Sequence, residues 1–144
     1  MFGFFPLFAL VIIAYNAVVF GGGLIFDAGD GDVFDQVVFS PGLMSGDTWQ
    51  ISLGDIFLIA SLFVLFIEIV KATRTDHMSI LNHGFSMIVF VVALVQFIVM
   101  DGFGNSTFFL IMTMSLLDVI AGYTVTISTA RRDLGVGEGI FAGS

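Results

Sequence analysis

Cysteine is absent from this chain, which excludes disulfides, thiolate metal sites and cysteine nucleophiles together. Basic residues are nearly absent as well. Lys71, Arg74, Arg131 and Arg132 are the whole set, in two clusters against 12 acids, so no surface could track a phosphate backbone and nucleic acid is excluded as a partner. Charge of either sign makes up only 11% of the 144 residues, whereas 58% are hydrophobic and the mean hydropathy is +1.08. A water-soluble domain of this size has no core large enough to hide that much apolar side chain, so an integral membrane protein is expected. Nucleotide-binding glycine motifs, catalytic triads, zinc signatures and carboxylate pairs at catalytic spacing are also missing, and with them any reason to expect an enzyme. There is no internal repeat of the kind that transporter folds carry.

What is present reads as an all-α, four-transmembrane-helix bundle over residues 1–130, followed by a tail, 131–144. The N-terminal run lacks the positively charged leader of a signal peptide and is read as a retained first helix, about 4–20, with Pro6 in its first turn. A glycine- and aspartate-rich loop, 21–54, follows without a single basic residue. Within it Val33, Phe34, Val37 and Val38 oppose Asp32, Asp35 and Gln36, the pattern of a short amphipathic helix lying on the membrane surface, and Trp49 belongs at headgroup level. Ser52 with Asp55 forms a capping-box-like start to a second helix, about 53–72, with Glu68 and Lys71 expected to reach the headgroups together. Thr75 or Asp76 would cap a third helix that passes His77, His83 and Gly84 and spans about 85–100. Asn105 or Ser106 would cap a fourth, about 107–128. The glycine-rich end of the tail has too little apolar surface to fold alone. Four spans put all basic residues on one side, which predicts cytoplasmic termini and fits a bacterial inner membrane.

The fourth span carries Asp118 almost at its midpoint, and an ionisable group there costs at least about 2.5–3.5 kcal/mol unless something receives it. Its helical neighbours Ser115, Ala121 and Gly122 are small, so this face should meet another helix. Ser61, Asn16 and Gln96 lie at comparable depth and are expected to complete one buried polar cluster with Asp118 and Ser115. One acid with no basic partner and no second acid in the membrane makes a poor relay. A neutral structural clasp is therefore the expectation, and a proton or cation site the alternative.

His77 and His83 are six residues apart, on nearly opposite helical faces, and cannot chelate one metal from a regular helix. Each could ligate a haem or chlorophyll-type pigment singly, but interfacial histidines are the plainer reading. Asp27, Asp30, Asp32 and Asp35 have spacings that resemble a calcium loop without its bidentate glutamate or a repeated period, so a solvated acidic loop is expected and no metal is assigned. The 18 phenylalanines suit lipid contact and helix packing, with bound lipids as the natural cofactors. These features favour a small non-catalytic membrane subunit packed with other integral membrane subunits or with itself. The alternatives are a minimal proton or ion conduit, or a transporter component, built on Asp118, and a pigment protein built on His77 or His83.

Overall fold

The computed structural model describes residues 5–22, 31–73 and 77–141, with side chains at 77–80, 126, 129, 130 and from 132 onward outside that description. Four helices form the body: α1 (Phe8–Gly21), α2 (Leu53–Ala72), α3 (His77–Val99) and α4 (Ser106–Phe141). Among the described residues, α2, α3 and α4 are long and apolar enough to cross a membrane, over Leu53–Ala72, Leu81–Val99 and Ser106–Val125. With 14 residues, α1 is about 21 Å long, short of a hydrocarbon core of about 30 Å. Among the described residues, the expected first span, about 4–20, is therefore present as a helix that falls short of spanning length.

Local chemistry sets the starts of α2 and α4. The Ser52 side chain accepts from Asp55 N at 3.1 Å and the Asp55 carboxylate accepts from Ser52 N at 2.8 Å, a complete capping box at the expected residue. Asn105 Oδ1 accepts from Phe108 N at 2.9 Å and opens α4, and Gly102, at φ +85°, makes the tight return before it. Thr75 and Asp76, the expected cap of α3, lie outside the described residues. No side chain of its own caps α1. Its Leu7 N–H is instead taken by the carboxylate of Glu68 from α2, which places a negative charge at a helix N-terminus.

The central helix is α4, packed chiefly against α2 and α3. Phe108, Ile111, Met112, Ser115, Asp118, Val119 and Gly122 are buried along it at alternating three- and four-residue steps, which keeps one seam facing its neighbours. On α2 the matching stripe is Gly54, Ser61, Leu65, Glu68 and Ala72. Gly54 fits because a Cβ there would stand 2.7 Å from Thr107 Oγ1 and 3.1 Å from the Phe34 carbonyl oxygen.

The loop departs from expectation. A single 3-10 turn, Val33–Asp35, replaces the surface helix, and the chain then extends into strand β1 (Val37–Phe39), paired antiparallel with β2 (Ile51–Ser52). The fold is thus helical with a small two-stranded sheet. The physical reason is Phe34: its ring is buried, stacked on Tyr15 at 4.0 Å and edge-on to Phe57 at 5.5 Å, so it fills the bundle end instead of lying on lipid. Beyond it, the β-branched Val37 and Val38 favour extended backbone. Asp32 holds this arrangement by accepting from Phe34 N at 3.0 Å and from Asn105 Nδ2 at 3.0 Å, while Tyr15 Oη donates to Asn105 Oδ1 at 3.0 Å.

The other departure is the tail. From the span, α4 continues as helix to Phe141. Residues 129–141 contain no proline, and extending an existing helix avoids the nucleation cost that an isolated glycine-rich segment would face.

Candidate functional site

Three helices bring polar side chains to one axis. Ser61 and Glu68 lie two turns apart on α2, Asn82, His83 and Ser86 share neighbouring positions on α3, and Ser115 and Asp118 are a turn apart on α4; all seven are at most 4% exposed. The register between helices orders them. Gly54 against Thr107 shows that α2 and α4 run alongside each other in the same direction, which brings Ser61 level with Ser115 and Glu68 about one turn beyond Asp118. The rings of Phe97 and Phe109 are 5.5 Å apart and His83 packs on Gly122, so α3 runs antiparallel and Ser86 comes level with Asp118. The result is a polar column from mid-span to the end of the bundle that carries Lys71.

Glu68 is well supplied with donors. Its Oε1 accepts from Leu7 N–H and from Lys71 Nζ at 3.3 Å, and its Oε2 accepts from Asn82 Nδ2 at 3.3 Å. Lys71 Nζ also donates to the Phe5 carbonyl oxygen at 2.9 Å and to Asn82 Oδ1 at 3.5 Å. This overturns the expectation that Glu68 and Lys71 extend to the headgroups. Glu68 is buried because the start of α1 crosses over it, bringing a backbone donor that its own helix could not provide.

Asp118 is different. Its Oδ2 and the Ser86 Oγ are both buried, and among the described residues neither has a hydrogen-bond partner. The Ser86 hydroxyl comes level with the carboxyl across the α3–α4 seam without reaching hydrogen-bond geometry. Since Glu68 and Lys71 already form an ion pair, an ionised Asp118 would be a charge without a counter-ion of its own, whereas a protonated one has a donor to offer.

The expected cluster is divided. Gln96 Nε2 donates to Asn16 Oδ1 at 2.7 Å, and Asn16 Nδ2 donates to Gln96 Oε1 at 3.3 Å and to the Ile12 carbonyl at 2.8 Å. This pair joins α1 to α3 near the level of Phe109, about 13 Å along α4 from Asp118, and satisfies itself. Ser61 donates to the Phe57 carbonyl on its own helix at 2.6 Å. Ser115 and Ser61 remain in the column, while Asn16 and Gln96 do not.

His83 lies in the seam between α3 and α4, its ring 6.0 Å from that of Tyr123. His77 contributes the first residue of α3, and its side chain lies outside the described residues. Asp27 and Asp30 also lie outside them. Asp35 is exposed, and Asp32 is committed to Phe34 N and Asn105. Among the described residues no three His, Asp or Glu side chains converge as a metal site. Sequence reasoning missed Glu68, Asn82 and Ser86 as column members. Their signal was a polar stripe at three- and four-residue spacing: 82, 83 and 86 on one segment, and 61 with 68 on another.

The column stops at mid-span. Toward the loop, Ile111, Met112, Phe108, Phe103, Phe34 and Tyr15 close the bundle with apolar side chains and stacked rings. Together these features define a small helical protein with three helices of membrane-crossing length around a one-ended polar interior. Compared with models of known families, with curated proteins and with solved structures, the chain matches none.

Proposed function

We propose that this is a non-catalytic membrane component that takes up and releases a proton at Asp118, exchanging it with the Lys71 end of the bundle. The observation that supports this most is the buried, unpartnered pair of oxygens at Asp118 and Ser86 beside a second buried acid, Glu68. The second acid removes the main objection to a relay, since Glu68, Asn82 and Lys71 supply donors and acceptors between Asp118 and the bundle end. The aromatic seal at the loop end argues against a complete conduit within one copy. The protein then acts as one part of a larger assembly, in a bacterial inner membrane, with the basic residues and both termini on the cytoplasmic side.

The test is infrared difference spectroscopy on the full chain in lipid. A buried carboxyl band that titrates with bulk pH, exchanges in heavy water and disappears in Asp118→Asn supports the proposal. A band that neither titrates nor exchanges in folded protein overturns it.

A purely structural subunit is the second reading, favoured by the saturated hydrogen bonding of Glu68. On that reading Asp118→Asn preserves both fold and assembly, and Asp118→Leu costs about 1–2 kcal/mol. A pigment-binding role through His77 or His83 would be evident in the absorbance of the purified protein.

A further inference from the structure

We infer that the hairpin of the acidic loop is a membrane-surface anchor that lies in the headgroup and upper acyl region of the bilayer spanned by α2. The inference is independent of Asp118 and needs only that α2 to α4 lie in lipid. The hairpin is built by its backbone. Beyond the β1–β2 pair, Gly42 bridges Thr48, Trp49 N–H donates to the Pro41 carbonyl at 3.0 Å, and Leu43 N–H donates to the Asp47 carbonyl at 2.8 Å. Gly46, at φ +94°, turns the chain, and its N–H donates to the Leu43 carbonyl at 3.0 Å.

None of the side chains that this backbone presents along β1 and the turn is covered by the bundle. Val37, Val38, Phe39, Leu43 and Trp49 are each between 48% and 63% exposed, and Met44 is fully free. Between Val37 and Ser52 the only charged residue is Asp47, and there is no cation. A two-sided apolar hairpin of this kind has an energetic reason to leave water.

Position decides what covers it. β2 runs without a break into α2, whose cap is Ser52 and whose first outward side chains, Ile56 and Ile59, are exposed apolar residues on a span. The hairpin root is therefore at the membrane boundary, and its apolar surface continues the lipid-facing belt. The eight residue steps from Ser52 back to Met44 reach about 26 Å at strand rise. Upright, that length would carry Leu43 and Met44 deep into water. Lying flat, it brings Phe39, Leu43, Met44 and Trp49 to the depth where amphipathic and apolar rings are stable. With no basic residue the attachment is apolar, so zwitterionic lipid suffices and salt leaves it in place.

Trp49 is the only tryptophan in the chain and reports its own depth. In phosphatidylcholine vesicles containing the full-length protein, its emission is expected to be blue-shifted, to lose most of its intensity to lipids brominated near the top of the acyl chain, and to be little affected by aqueous acrylamide. Replacing Leu43 and Met44 together by Asp should shift the emission to the red and open Trp49 to acrylamide, with helicity unchanged because backbone bonds form the turn. Strong acrylamide quenching of the unaltered protein without lipid quenching overturns the inference. So does protection from both quenchers, which would mean a protein cover or a second copy, and so does a Leu43/Met44 double variant whose emission does not move.

Discussion

Gly122→Ala is the most direct perturbation of the seam that holds the polar column. A Cβ at this position would stand 2.2 Å from His83 Nδ1, 2.4 Å from its Cε1 and 2.9 Å from its Cγ, where ordinary contact begins at 3.4 Å. One methyl therefore overlaps a whole ring edge by about an ångström. Either α3 and α4 separate or the imidazole leaves the seam, and overpacking of this kind costs about 1–3 kcal/mol. Reversible unfolding in mixed micelles or steric trapping in bicelles measures that cost. His83→Ala provides the second arm, because removing the ring leaves a void which the methyl added at position 122 then fills. The substitution at 122 should be neutral or stabilising in that background, which gives a coupling energy of about 1–3 kcal/mol across the cycle. If Gly122→Ala costs the same with and without the His83 ring, or costs nothing with it, the packing of His83 on Gly122 is wrong, and so is the register that places Ser86 beside Asp118.

Two further outcomes follow from the hydrogen bonds on either side of that seam. Glu68→Gln keeps the shape but removes the charge that pairs with Lys71 and caps α1; a loss of about 1–2 kcal/mol is expected in the same unfolding assay, discounted because the Lys71 side chain is partly exposed, and a smaller loss should follow from the same change made with Lys71→Met already present. Asn16→Leu or Gln96→Leu alone should each cost about 0.6–2 kcal/mol by stranding the other amide, and the double replacement should recover most of it; additive losses would show that the two amides do not serve each other.

The parts of this fold that were legible in the sequence are those set by neighbouring residues. Ser52 and Asp55 are three residues apart, so their capping box and the start of α2 could be read directly, and Asn105 before an apolar run marked the start of α4 in the same way. Glu68 was misread because an acid three residues before a lysine looks the same whether the pair extends to headgroups or folds inward. What decides between them is the start of α1, more than sixty residues away in sequence. Phe34 was misread for a similar reason: its spacing with Val37 and Val38 suits a surface helix, but the rings of Tyr15 and Phe57 that receive it are brought there only by the tertiary fold. Asn16 and Gln96 do pair, but only half-buried and away from the column. Depth alone could not show that they would satisfy each other and leave Asp118 with Ser86.

The two ends of the bundle use opposite physics, and this bears on what a proton at Asp118 could do. At the loop end, ring stacking among Tyr15, Phe34, Phe57, Phe103 and Phe108 makes a dry, closely packed plug, tied down by Asn105 and Asp32. At the other end the residues that close the column, Glu68, Lys71 and Asn82, are polar, and two of their partners are backbone groups at Phe5 and Leu7 in the entry to α1. A backbone segment held by a carboxylate and an ammonium can be released by exchanging those bonds for water, whereas opening the aromatic plug means exposing packed apolar rings. The easier opening is therefore at the Lys71 end. On the proposed reading, a proton reaches Asp118 past the α1 entry, because Glu68, Asn82 and Lys71, which hold that entry, also line the column between Asp118 and the bundle end.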